Sequence, residues 1–217
     1  MIHQLQADSI QLEFGDRKIL SGAFLACETG KITGLLGRNG QGKSCLMKMI
    51  YGTLAGEKSV RIDRIAYQQA YTHPNLLRYL PQFNFIPKRL SVKSAFSDFG
   101  IDFGAFQTRF PEFRSAYHSS IGTLSGGGQR LVELYVIVKS NTLFALLDEP
   151  FTHLSPLQIE KVKVLLLEEK QNNGLVVTDH IYRQVLEISD VLYVLAHGRT
   201  YLTKSHEDIE TLGYAKL

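Results

Sequence analysis

With 217 residues, 44% apolar side chains and a formal net charge of +3, the chain has material for one sizeable α/β domain with room for a small inserted lobe, but not for a second domain of that size beside it. The charge is too small to argue for a nucleic-acid partner, and no run of five or six like charges occurs. The two cysteines, Cys27 and Cys45, form no CxxC or metal-ligand spacing, the first residues lack a signal-peptide pattern, and the longest apolar runs fall far short of a membrane span, which together lead us to expect a reducing cytosol.

Residues 2–14 alternate apolar and polar side chains at Ile10, Leu12 and Phe14, the pattern of a half-buried strand, and Phe14-Gly15-Asp16-Arg17 supplies a turn into a second strand over Ile19 to Cys27. That hairpin returns Phe14 toward the next motif, where its ring either stacks on a base or packs as an ordinary core phenylalanine; spacing alone leaves both open.

The apolar run Ile32 to Leu36 feeds Gly37-Arg38-Asn39-Gly40-Gln41-Gly42-Lys43-Ser44, which fits the phosphate-loop pattern G-x-x-x-x-G-K-[ST], and Cys45 to Ile50 continues as a helix. Strand, glycine loop and helix N-terminus in that order aim successive N–H groups at one anion, a triphosphate in proteins of this design. Lys43 would neutralise the β- and γ-phosphates, and Ser44 would hold Mg²⁺ through its hydroxyl.

After a break at Gly52 to Gly56, a short strand is expected over Val60 to Ala66, and Gln82 beside Pro81 is a candidate amide for metal and attacking water. Eight of the twelve phenylalanines fall between Phe83 and Phe113, and Phe96, Phe99, Phe103, Phe106, Phe110 and Phe113 recur at steps of three and four. The stripe predicts a small helical lobe bent or divided at Gly100, Gly104 and Pro111, with the rings forming either its core or an aromatic patch for a partner.

Leu124-Ser125-Gly126-Gly127-Gly128 then opens a buried helix through Val138, with Ser125 and the glycine amides making a second anion cradle. The strand Leu143 to Leu147 delivers Asp148 and Glu149 to the C-terminal edge of a parallel sheet, and Leu175 to Thr178 delivers Asp179 and His180 to the same edge. Between them a helix is expected over Pro156 to Lys170 with Ser155 as N-cap. A helix over Ile181 to Ile188, strands at Val191 to Leu195 and Thr200 to Thr203, and a helix over His206 to Leu212 complete the chain.

Taken in order, these segments resemble the nucleotide-binding subunit of an ABC (ATP-binding cassette) transporter over nearly the whole chain. Phe14 stands at the aromatic A-loop position, Gly37 to Ser44 match the Walker A motif, Gln82 the Q-loop, and Leu124-Ser125-Gly126-Gly127 the LSGGQ signature. Asp148 and Glu149 match the Walker B aspartate and catalytic glutamate, and His180 the switch histidine. The resemblance implies a P-loop NTPase of ABC ATPase type: one domain over 1–217, with a mixed sheet core, an antiparallel β subdomain, and a small helical lobe inserted at about 83–140.

It also implies ATP and Mg²⁺ as ligands. Ser44, Gln82 and Asp148 would serve the metal, while Lys43, Gln82, Glu149 and His180 would serve hydrolysis. Phe14, the loop residues Gly37 to Ser44, and Cys45 would hold nucleotide, joined across a head-to-tail dimer by Ser125, Gly126 and Gly127 of the other chain. The expected partners are a second copy or a related cassette and an integral membrane permease, placing the chain on the inner face of the membrane, with no nucleic acid. Phe14, and the lack of an Asn-Lys-x-Asp motif, favour adenine over guanine.

Two positions depart from the family pattern: Gly128 replaces the signature glutamine, and Ser155 replaces the D-loop aspartate. Slow hydrolysis, and hence a regulatory ATP-sensing module, is the alternative that these departures raise. A soluble relative in repair, chromosome handling or translation is another, although the long coiled-coil insertions or paired cassettes of those proteins are absent from this sequence. The closing segment is similar to compact cassettes of the lipopolysaccharide-export and branched-chain amino acid types.

Overall fold

The computed structural model describes residues 1–203 and 208–209. The chain opens with a hairpin of two long strands, β1 (Gln4–Phe14) and β2 (Arg17–Glu28), whose buried residues alternate as the sequence pattern requires. β4 (Glu57–Ile62) and β5 (Ile65–Ala66) extend it into a four-stranded antiparallel sheet in the order β2-β1-β4-β5. The single strand expected over Val60 to Ala66 is therefore two. Asp63 and Arg64 adopt left-handed backbone, φ 51° and 72°, and reverse the chain between β4 and β5 without a glycine.

The second sheet has six strands. It contains β3 (Ile32–Leu36), β6 (Leu77–Leu80), β7 (Phe144–Asp148), β8 (Gly174–Thr178), β9 (Val191–Ala196) and β10 (Arg199–Thr203), in the order β10-β9-β3-β8-β7-β6. Neighbours from β9 to β6 pair in parallel, and β10 turns back antiparallel. β3, β7 and β8 are buried at every residue, as strands covered on both faces must be, and their sequences are accordingly near-continuous apolar runs.

Alternation along β7 divides the interior in two. Phe144 and Leu146 pack with the antiparallel sheet and with α1 (Lys43–Tyr51). Ala145 and Leu147 pack with α4 (Gly126–Val138), α5 (Pro156–Glu169) and α6 (Tyr182–Ile188). No described helix is long and apolar enough to cross a membrane.

Between β6 and β7 the chain forms α2 (Val92–Asp98) and α3 (Phe103–Arg109), with short 3-10 turns at Pro111–Phe113 and Ile121–Thr123, ahead of α4. The division falls at Gly100 and Pro111, whereas Gly104 lies inside α3, where the N-cap side chain of Asp102 accepts from its N–H. The phenylalanine stripe is core. Phe96, Phe106 and Phe110 are buried, and the Phe106 ring meets Phe96, Phe110, Phe113 and Tyr135 at centroid distances of 5.0, 5.1, 4.9 and 4.9 Å. Phe83, outside that cluster, stays exposed, so the aromatic face available to a partner is far smaller than the stripe itself.

α5 begins as expected. Ser155 is its N-cap, Pro156 its first residue, and Gln158 returns a hydrogen bond to complete a capping box. The helix expected over His206 to Leu212 lies outside the described residues except at Asp208 and Ile209, which are helical.

Candidate functional site

Four strands of the large sheet end at one edge, and each releases chemistry-bearing residues there. Leu36 leads into the glycine loop, Leu80 into Pro81 and Gln82, β7 ends at Asp148 before Glu149, and Thr178 precedes Asp179 and His180. A cavity of about 520 Å³ opens on that edge, lined by Phe14, Arg17, Ile19, Asn39, Gly40, Gly42, Lys43, Ser44, Cys45, Gln82, Glu149 and His180.

The glycine loop meets α1 at Gly42, whose φ of 101° suits glycine and whose missing side chain leaves room for Ile19, since a Cβ there would lie 2.8 Å from that residue's Cγ2. Lys43 Nζ donates to the carbonyls of Gly37 at 2.5 Å and Arg38 at 3.4 Å, which holds the ammonium over the mouth of the loop. Burial pushes its pKa down, opposed by the charges of Glu149, Asp148 and Asp179. Phe14 is 53% exposed at the end of β1, so it is a ring on the rim of the cavity and not a core residue.

Asp148 lies just behind the cavity, nearly fully buried. Tyr79 donates to its Oδ2 at 2.9 Å, and Ser44 hydrogen-bonds to it as well. Burial raises its pKa, and those two hydrogen bonds oppose the rise. Asp179 is also raised by burial; it accepts from the N–H groups of Ile181 and Phe151 and so pins the chain on either side of the site. His180, half exposed, places Nδ1 3.6 Å from Oε2 of Glu149 and 3.2 Å from Oδ1 of Asp179. Glu149 itself has left-handed backbone, φ 53°.

The structure thus brings Phe14, Asn39, Gly40, Gly42, Lys43, Ser44, Cys45, Gln82, Glu149 and His180 to one cavity, with Gly37, Arg38 and Gln41 completing the loop and Asp148 beneath it. Ser125, Gly126 and Gly127 do not line it. They begin α4, where the hydroxyl of Ser125 caps the helix by accepting from Gly128 N at 3.1 Å. The glutamine missing from position 128 stands one residue later: Gln129 donates to the carbonyl of Leu124 at 2.9 Å and accepts from Asn84 at 2.8 Å.

Three residues that sequence reasoning passed over belong to the site, and two of them hold it together. Arg17 faces Phe14 across the first hairpin, a position that the turn at Gly15-Asp16 could have revealed. Arg130, 2% exposed, donates to the carbonyls of Pro81 at 2.7 Å, Glu149 at 2.8 Å and Asp148. Glu133, equally buried, accepts from the N–H groups of Phe85 at 2.8 Å and Ile86 at 3.0 Å. One face of α4 therefore grips the segment after β6 and the end of β7 together. Burial lowers the pKa of Arg130 and raises that of Glu133, the expected direction for charged groups removed from water.

A parallel sheet with a glycine-rich phosphate loop and carboxylates on neighbouring strand ends defines a P-loop nucleoside-triphosphatase cassette. A protein-family model described as "ABC transporter" matches residues 20–152. The chain is 31% identical over 211 residues to the lipopolysaccharide export system ATP-binding protein LptB of Escherichia coli, covering 89% of this chain and 87% of that protein. It is 28% identical over 221 residues to LptB of Haemophilus influenzae, covering 94% and 92%.

Among solved structures, an "ATP binding subunit of ABC transporter" superposes with a TM-score of 0.78 at 19% identity over 97% of this chain and 93% of that one. A nucleotide-free ATP-binding cassette gives 0.77 at 22% identity, covering 97% and 94%. The chain belongs to the ABC transporter family, as its ATP-binding and ATP-hydrolysing subunit.

Proposed function

We propose that residues 1–217 form a single ABC ATPase domain with a helical lobe inserted at about 83–140, and that the chain works as a head-to-tail dimer with itself or a related cassette. In that pairing the phosphate loop of one protomer and Ser125, Gly126 and Gly127 of the other close on one ATP. The observation that carries this reading is the separation of two anion cradles in one chain: the cavity at Lys43 and Ser44 is lined without any signature residue. A solitary protomer leaves the terminal phosphoryl group open on one side.

The hard oxygen donors of Ser44, Gln82 and Asp148 suit Mg²⁺, which is usually held by one or two carboxylates together with phosphate oxygens. The metal supplies charge neutralisation along the phosphates. Phe14 stacks on the adenine, and the loop amides from Gly37 to Ser44 and the start of α1 at Cys45 cradle the phosphates. Lys43 offsets negative charge on the transferred group, Gln82 orients the attacking water, Glu149 accepts its proton, and His180 positions the γ-phosphate. The released energy drives an integral membrane permease, to which the chain attaches on the inner face of the membrane. Family membership supports that placement.

Glu149→Gln is the direct test. General-base assistance contributes about 10²–10⁴-fold, so the variant should retain ATP, accumulate as dimer on size-exclusion chromatography, and nearly stop turning over. Turnover at the parental rate would show that Glu149 is not the base.

A further inference from the structure

The carboxylate of Glu149 has a partner on its own loop. Thr152 Oγ1 donates to its Oε2 at 3.2 Å, and the N–H of Thr152 reaches the carbonyl of Glu149 at 3.3 Å, closing a turn around the left-handed backbone of Glu149. The other charged groups around that carboxylate are Lys43 from α1, Arg130 from α4, Asp148 from β7, and Asp179 and His180 from the end of β8. Among these, His180 approaches the same oxygen that Thr152 holds.

The next residue ties this loop to the signature turn. His153 has φ 65°, and its carbonyl lies so close to Gly127 that a Cβ there would sit 2.5 Å from the oxygen. Its side chain lies beside Gly126, 3.8 Å from where a Cβ would stand. Two consecutive residues thus connect the carboxylate of Glu149 to the turn that carries Ser125.

We propose that Thr152 is a positioning residue for hydrolysis: its hydroxyl sets the orientation of the Glu149 carboxylate and links it mechanically to the signature turn of the same chain. This rests on the assignment of Glu149 as the base. No charge is added or removed; the hydroxyl works by restricting where the carboxylate points.

The test compares Thr152→Val, which keeps the shape and loses the donor, with Thr152→Ser, which keeps the donor. Single-turnover ATP hydrolysis is measured together with the affinity of a fluorescent ATP analogue and the thermal midpoint. A hydrogen bond to a charged group justifies about a tenfold loss of hydrolysis in the valine variant, with analogue affinity within about twofold of the parent and hydrolysis restored in the serine variant. Parental hydrolysis in Thr152→Val, an equal loss of analogue affinity, or a serine variant as slow as the valine one would overturn the proposal. Glu149→Gln in the same assay separates the two levels. If it halts hydrolysis while Thr152→Val does not, only the role of Thr152 fails; if it turns over normally, the base assignment fails first.

Discussion

Tyr79 donates its hydroxyl to Asp148 across 2.9 Å between adjacent parallel strands, so the aspartate reaches the edge of the cavity with one oxygen already committed. The other hydrogen bond on that carboxylate comes from Ser44 of the phosphate loop. Asp148 is consequently oriented from both sides while its pKa is raised by burial, an arrangement that favours a cation as the third neighbour.

Tyr79→Phe removes only the donor and leaves a buried carboxylate oxygen short of a partner. Such a loss costs about 1–3 kcal/mol, or roughly 3–10 °C in thermal midpoint for a domain of this size. Titrating Mg²⁺ in the ATPase assay should also show a higher half-saturating concentration than in the parent. An unchanged midpoint together with an unchanged Mg²⁺ curve would mean that Tyr79 does not position Asp148.

Gly126 and Gly127 should respond differently to alanine. A methyl at Gly126 meets nothing closer than 3.8 Å, whereas at Gly127 it would be 2.5 Å from the carbonyl oxygen of His153, a backbone atom that can yield only if the whole loop shifts. We expect Gly127→Ala to lose about 1–3 kcal/mol through overpacking and Gly126→Ala to unfold at or above the parental temperature. Equal midpoints for the two variants would contradict the close packing of the loop from Glu149 to Ser155 on α4.

The departure at Ser155 can be tested without disturbing the fold. Serine and aspartate are comparable N-caps, so Ser155→Asp should leave the thermal midpoint nearly unchanged, whereas Ser155→Ala should lose about 1 kcal/mol along with the capping box. With stability held constant, any rise in ATP turnover in the aspartate variant reports on the D-loop itself. Faster turnover is expected if the missing carboxylate limits communication between sites, and an unchanged rate would show the serine to be neutral.

What was legible in the sequence is what is local in the chain. The phosphate loop shows itself because its glycines, lysine and serine lie within eight residues between a buried strand and a helix, and α5 announces its start through Ser155 and Pro156. β3, β7 and β8 are apolar throughout because the sheet is covered on both faces, which also placed Asp148, Glu149 and His180 at one edge. The contacts made by Arg130 were hidden because its acceptors are backbone carbonyls 49, 18 and 19 residues away, and a carbonyl leaves no mark in a sequence. Thr152 was hidden because its contact depends on the left-handed turn at Glu149. The turn at Asp63 and Arg64 leaves no mark in the sequence because it reverses a hairpin with no glycine to announce it. For the aromatic stripe, spacing placed the rings on one side of the lobe but left open whether that side faced α4 or solvent; packing around Phe106 and Tyr135 decides it.

The head-to-tail composite site is tested most directly by steady-state ATPase activity, with Mg²⁺ in excess, across a dilution series of the protein. While dimers are scarce, activity per protomer should climb with protein concentration and level off once the dimer saturates. Constant activity per protomer down to concentrations at which light scattering reports only single chains would show that one molecule encloses and hydrolyses ATP unaided.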